Sequence, residues 1–169
     1  MGQHEQVAAW WQGRLPQEWF VGEAQVTVDR DEVVVTGELA APESTPQDGP
    51  EASEAALGRI SRFREETRDE RVTIAREAEH RFGRKVSWGA SCGPEQRLFT
   101  HLAAPVMTRL RQPERTVLDT LVEAGVARSR ADALAWCVRL VGEHADDWLA
   151  QLRAAMTDVQ RLREQGPTA

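Results

Sequence analysis

The chain has 169 residues, with 21 basic and 27 acidic side chains and a formal net charge of −6, which suits one domain or two small ones. No apolar run approaches the roughly 20 residues of a membrane span, and the start lacks the charged and apolar regions of a secretory signal. The sequence therefore predicts a cytoplasmic protein without membrane contact. Because Cys92 and Cys137 stand in no metal-ligand spacing, and no Gly-rich phosphate loop or catalytic triad order is present, we expect no metal, cofactor or enzyme activity.

The first third of the chain predicts a short helix followed by a β-hairpin. A helix over His4–Trp11 would end before Pro16. Alternating apolar residues in Phe20–Val28 and Val33–Leu39 predict two strands joined by a charged turn. Residues 1–56 also hold eleven acidic and two basic side chains. A nucleic-acid surface would therefore have to come from the later part of the chain.

A loop, a helix and a third strand are predicted next. Prolines and the lack of large apolar residues predict a flexible loop over Ala40–Ser53. One long helix over Glu54–Phe82 has an apolar stripe and a charged face whose acids and arginines pair with one another. Alternation in Arg84–Cys92 predicts a half-buried strand. The result is an acidic α+β domain over residues 1–93, a small β-β-α-β sheet with one helix packed on it.

The second predicted domain, residues 94–169, begins with a connection of undefined structure. Its central stretch, Val106–Val141, reads VMTRLRQPERTVLDTLVEAGVARSRADALAWCVRLV. An alternating segment over Val106–Arg111 precedes two amphipathic helices, Glu114–Ala124 and Arg130–Val141.

Both ends of the turn between these helices carry helix-end signals. Gly125 is placed to follow the first helix in a left-handed conformation. Ser129 is placed as the N-cap of the second helix, with Asp132 three residues later as in a capping box. The apolar stripes of the two helices consist of Val117, Leu118, Leu121 and Val122, and of Leu134, Cys137, Val138 and Val141.

This order of strand, helix, turn and helix resembles the ribbon-helix-helix family of DNA-binding dimers. The resemblance covers about 36 of the 169 residues. It implies a homodimer in which one strand from each copy forms an antiparallel ribbon that enters the major groove of DNA. It also implies a DNA-binding set in which Met107, Arg109 and Arg111 point outward from the ribbon, Ser129 lies at a backbone phosphate, and Arg128 and Arg130 flank that phosphate.

A third amphipathic helix follows Gly142, begins at Asp146 or Asp147 and ends at Gly166-Pro167. Such a helix docks on its own core, extends a dimer interface or binds a protein partner. In the ribbon-helix-helix family the strand often opens the chain, whereas here it is internal. The overall acidity would also oppose DNA unless the acidic part is held away from the ribbon.

The sequence thus predicts a homodimeric, sequence-specific DNA-binding protein, in the manner of a transcriptional regulator. One alternative is an assembly module in which the ribbon-helix-helix-like part only dimerises and another surface engages a protein. A second alternative is an RNA- or ribosome-associated protein that uses Arg62, Arg68 and Arg71 of the long helix.

Overall fold

The computed structural model describes residues 3–42 and 49–165, and the predicted α+β class is confirmed. The chain divides into two compact units after Pro105. Unit 1 contains α1 Gln3–Arg14, β1 Gln25–Val28, β2 Glu32–Glu38, α2 Pro50–Glu66, α3 Arg68–Phe82, β3 Lys85–Cys92 and β4 Glu95–Leu98; unit 2 contains α4 Gln112–Glu123, α5 Arg130–His144 and α6 Asp146–Gln165.

Unit 1 is a four-stranded sheet in the order β1-β2-β3-β4. The predicted hairpin is confirmed, since β1 and β2 pair antiparallel from Gln25 opposite Thr36 to Val28 opposite Val33. Its first strand is shorter than predicted and begins at Gln25, not at Phe20. The Asp29 carboxylate holds the turn by accepting hydrogen bonds from two backbone N–H groups, at 2.7 and 2.8 Å.

The central strands β2 and β3 run parallel, with Val35 opposite Trp88. Parallel neighbours need a long crossover connection, and α2 and α3 supply it. The predicted alternation is confirmed on β2, whereas the half-buried strand predicted over Arg84–Cys92 is wrong in one respect, since Ser87 and Gly89 on the second face of β3 are buried too. The buried residues of the core-facing side of the two strands are Val33, Val35, Val86, Trp88, Ala90 and Cys92.

Edge-to-face aromatic contacts join the sheet to its helices. Trp88 on β3 lies 5.3 Å from Trp11 of α1 and 5.9 Å from Trp19, measured between ring centroids. Trp19 in turn lies 5.5 Å from Phe63 of α2. The predicted first helix is confirmed, and its Val7 and Trp11 are fully buried. These contacts place the core of unit 1 on one side of the sheet.

The single long helix predicted over Glu54–Phe82 is wrong, because the chain forms two helices that break at Thr67. The Thr67 hydroxyl donates to the carbonyl of Phe63 at 2.6 Å. The guanidinium of Arg71 donates to the carbonyl of Arg64 at 2.5 Å and to Thr67 Oγ1 at 2.9 Å. Side-chain donors thus hydrogen-bond to carbonyl groups at the carboxyl end of α2, where the helix dipole also favours a cation.

Arg71 is 7% exposed, and its guanidinium carbon lies 5.0 Å from the centre of the Phe99 ring. Burial, followed by repulsion from Arg64 and Arg68, lowers its pKa. No acidic side chain of the described ranges forms a salt bridge with it. Its charge is therefore balanced by peptide dipoles and an aromatic face.

The connection predicted after Cys92 contains a strand. A turn at Gly93, with φ of 53°, returns the chain so that β4 pairs antiparallel with β3. The division between the units therefore falls after Pro105 and not at residue 93, because β4 belongs to the first sheet. The predicted loop Ala40–Ser53 lies partly outside the described residues, and α2 already begins at Pro50.

Unit 2 consists of three helices. Those predicted over Glu114–Ala124 and Arg130–Val141 are confirmed as α4 and α5, with ends shifted by one to three residues. The predicted third helix is α6, whose first residue is Asp146. Its predicted end at Gly166-Pro167 lies outside the described residues.

We expect Arg71→Met to lower the free energy of unfolding of unit 1 by about 1–3 kcal/mol, because it leaves a carbonyl at the end of α2 without its donor. Urea unfolding monitored by far-ultraviolet circular dichroism measures this change. Arg68→Met is the matched control, because the Arg68 side chain is 77% exposed. Equal stability of the two variants would contradict the role given to Arg71.

Candidate nucleic-acid interface

The predicted ribbon segment Val106–Arg111 forms no β-strand in the single chain, which corrects the predicted strand for the isolated copy. A strand needs a partner for its N–H and C=O groups, and this segment has none in its own unit. Val106 is 85% exposed and Met107 is 98% exposed. Arg109 and Arg111 are also exposed.

Leu110 is more buried than its two arginine neighbours, which are exposed. It is half-buried and packs on the small core of unit 2, beside Leu118. The Arg115 guanidinium donates to the Leu110 carbonyl at 2.6 Å, and Arg111, with φ of −79° and ψ of 174°, is the N-cap of α4. The segment is therefore anchored at its carboxyl end, while Met107, Arg109 and Arg111 are exposed, as are Val106 and Thr108.

The turn between α4 and α5 begins with a Schellman motif. Gly125 has a φ of 75°, which suits glycine because it has no Cβ. Its N–H donates to the Val122 carbonyl at 3.0 Å, and the N–H of Val126 donates to the Leu121 carbonyl, also at 3.0 Å. The predicted role of Gly125 is confirmed.

Ser129 caps α5 as predicted. Its Oγ accepts the backbone N–H of Asp132 at 3.2 Å. The Asp132 carboxylate accepts the backbone N–H of Arg128 at 3.0 Å and lies 3.7 Å from the Arg128 guanidinium. That backbone hydrogen bond, with the nearby Arg128 charge, lowers the pKa of Asp132. The arrangement is a shifted capping box, since the carboxylate binds the residue before the N-cap.

Arg128 and Arg130 have different surroundings, although both are predicted to flank a phosphate. The Arg128 side chain is 95% exposed. Arg130 instead forms a two-pronged ion pair with Asp119 of α4, with N–O distances of 2.6 and 2.7 Å. This pair lowers the pKa of Asp119 and raises that of Arg130. In this structure Arg130 joins α4 to α5, and its side chain is 58% exposed against 95% for Arg128.

The core of unit 2 is small for three helices. Among its described residues, only Leu118, Ala127 and Ala133 are buried hydrophobics. The predicted stripes are half-buried or exposed over most of their length. The exposed apolar residues of α4 and α5 are Val117, Val138, Leu140 and Val141.

Charge is distributed unevenly along unit 2. Residues 106–139 hold six basic and four acidic side chains, whereas residues 140–165 hold three basic and five acidic ones. The part that contains the ribbon segment and the α5 cap is therefore the positive part. Two copies in a symmetric dimer would double that charge on one face.

Arg115 and Asp119 are site residues that the sequence prediction missed. Asp119 lies eleven positions before its partner Arg130, and Arg115 lies five after Leu110, so neither pair has a simple helical spacing. The two helix-end motifs were the available signal, since they fix how α4 and α5 approach each other.

The described ranges contain neither a group of metal-binding side chains nor a membrane-spanning helix. No group of three or more His, Cys, Asp or Glu side chains there is arranged to hold a metal ion. No helix in those ranges is long and apolar enough to cross a membrane. Cys92 is buried and Cys137 half-buried, and both are free thiols.

Two family models match the chain. Residues 5–98 match a family described as the Rv1265-like protein, N-terminal domain, and residues 111–163 match one described as the Mb1296 C-terminal domain. Uncharacterised protein Rv1265 of Mycobacterium tuberculosis and uncharacterised protein Mb1296 of Mycobacterium bovis are each 62% identical to this chain over 161 residues. These 161 residues are 95% of this chain and 70% of each relative. No solved structure matches.

We expect Asp119→Asn to lower the melting temperature of unit 2 at neutral pH, because it removes the ion pair with Arg130. The folded-state pKa of Asp119 is depressed, so the pair contributes fully above the unfolded value of about 3.9. Its contribution is lost as pH falls through the lower folded value. The melting temperatures of parent and variant should therefore converge in strong acid. Glu114→Gln is the control, and a pH-independent difference would contradict the ion-pair explanation.

Proposed function

The chain belongs to the Rv1265-like protein family, and we propose that it is a homodimeric DNA-binding protein that acts as a transcriptional regulator. In this proposal two copies pair their Val106–Arg111 segments into a β-ribbon that enters the major groove. The protein is a binding protein and not an enzyme, and a cytoplasmic location accords with that role.

One observation carries the proposal. The segment before α4 is exposed and forms no strand in the single chain, yet Leu110 and the Arg115–Leu110 hydrogen bond hold its end on the core. Met107, Arg109 and Arg111 are exposed there, and the proposed ribbon would present them to the groove. An arginine fork can donate to O6 and N7 of guanine at once, and an apolar side chain such as Met107 can contact the methyl group of thymine.

The start of α5 supplies the proposed phosphate contact. Helix N-termini favour anions because of their free N–H groups and dipole. Ser129 and Asp132 already occupy part of this end, and the Asp132 carboxylate would repel a phosphate. Arg128 is the residue best suited to offset that repulsion, because it is exposed and adjacent. Arg130 would serve by fixing α5 relative to α4.

A second candidate is a protein-assembly module in which unit 2 dimerises without DNA. The observation in its favour is the balance of nine basic and nine acidic side chains over residues 106–165. Its distinguishing property is a stable dimer without salt-dependent affinity for DNA.

An RNA-binding role through the arginines of α2 and α3 is less well supported. Arg71, one of the three residues that such a role would use, is buried against Phe99 and bonded to the carboxyl end of α2. A side chain committed in this way is a poor contact for an RNA phosphate.

We expect Arg109→Ala combined with Arg111→Ala to weaken binding to a preferred duplex by at least about 30-fold, because each guanine contact is worth about 1–3 kcal/mol. The duplex is first selected from a random pool with the parent protein. Fluorescence anisotropy at two salt concentrations then measures the affinity, and sedimentation equilibrium checks that the dimer persists.

The matched control is Arg153→Ala combined with Arg163→Ala, which removes the same charge from exposed positions of α6. It should retain most of the affinity. Equal affinity of the ribbon variant and the parent would contradict the proposed readout. A parent dimer that binds no duplex even at low salt would favour the assembly module instead.

A further inference from the structure

Helix α6 has an exposed apolar stripe. Trp148, Leu152, Met156 and Val159 follow one another at steps of four, four and three residues, which places them on one face of the helix. Trp148 is 58% exposed and Met156 is 70% exposed. A contiguous surface of this kind on a water-soluble unit usually marks an interaction site.

Beside this stripe, α6 contacts α5 within unit 2. Leu149 lines a groove of about 390 Å³ with Val138, Val141 and Gly142 of α5. This groove is almost entirely apolar, and Val138 and Val141 are themselves more than half exposed. The stripe on α6 and the open side of α5 therefore belong to one apolar surface, which we call the α5–α6 surface.

We propose that the α5–α6 surface binds the same surface of a second copy of this chain, with the two α6 helices antiparallel. The inference rests on the homodimer of the proposed function and adds a second contact to its ribbon. The buried core cluster of unit 2 consists of Leu118, Ala127 and Ala133 among the described residues, which is a small core for three helices. Because the surface is apolar along its length, two identical copies of it can pack against each other, which a two-fold symmetric contact requires.

Charge favours a second copy and its antiparallel orientation. Glu143, Asp146 and Asp147 cluster at the start of α6. A parallel pair would bring six carboxylates together, whereas an antiparallel pair separates them by about the length of the helix, roughly 30 Å. The same acids would repel DNA phosphates or an anionic lipid surface, so neither is a suitable occupant.

The test uses the full chain with Leu152→Glu and Met156→Glu combined. Both residues are exposed in the single copy, so the substitutions should leave the fold intact, which circular dichroism checks. Ala150→Glu combined with Ala154→Glu is the control, since it adds the same charge to the opposite face of α6. We expect the stripe variant to raise the dissociation constant for self-association at least about 10-fold in sedimentation equilibrium, and the control to match the parent.

Orientation is tested by oxidative cross-linking in a Cys137→Ser background. An antiparallel pair brings position 148 of one copy near position 159 of the other. A mixture of Trp148→Cys and Val159→Cys chains should therefore cross-link, while each chain alone should not. Cross-linking of Trp148→Cys with itself would overturn the antiparallel arrangement, and no cross-linking in the mixture would overturn the contact.

The outcomes are separate from those of the DNA proposal. A monomeric parent, or a stripe variant that self-associates as well as the control, overturns the α5–α6 contact even if the protein binds DNA. A parent that self-associates through this surface but binds no duplex supports the contact and counts against the DNA-binding function.

Discussion

The structure depends on one constraint, which is that every helix has an apolar face that must be covered. Unit 1 meets this constraint within the chain, because α1, α2 and α3 pack on one side of a sheet whose central strands contribute fully buried residues such as Val35 and Ala90. Unit 2 has no sheet in its described residues, and its three helices leave much of their apolar surface exposed. The two units therefore differ in how much of their apolar surface is covered within the single chain.

The parallel pair β2–β3 explains the construction of unit 1. Parallel neighbours cannot be joined by a tight turn, so the chain must cross the sheet face and return. The crossover is divided at Thr67, where Arg71 binds the Arg64 carbonyl and Phe99 covers its guanidinium. A buried arginine thus has a structural function here, which removes it from any surface that could track a phosphate chain.

Much of this architecture follows from local sequence. Alternation predicted the buried face of β2 and the core-facing residues of β3, although not that the second face of β3 is buried too. The signals at Gly125 and Ser129 predicted the turn between α4 and α5 correctly. The break at Thr67 was missed because it depends on side-chain hydrogen bonds that replace backbone bonds, while the apolar periodicity continues through it. Strand β4 was missed because its residues, Glu95–Leu98, are those of a polar edge strand and show no apolar alternation.

The candidate interface is less predictable because its electrostatics depend on pairings across the turn. Arg128 and Arg130 are the same residue type, but Arg130 forms an ion pair with Asp119 while the Arg128 side chain is 95% exposed. An ion pair between exposed groups contributes little to stability, but this pair holds the Arg130 guanidinium beside Asp119. In the proposed function, the arginines left to contact DNA are therefore Arg128, Arg109 and Arg111.

The Debye length is about 8 Å at physiological salt. Three arginines would therefore attract DNA at a distance only when a second copy brings an equal set beside them. In the proposed function, dimerisation and DNA affinity would be coupled, since the contact that covers the apolar stripes would also bring the two sets of arginines together.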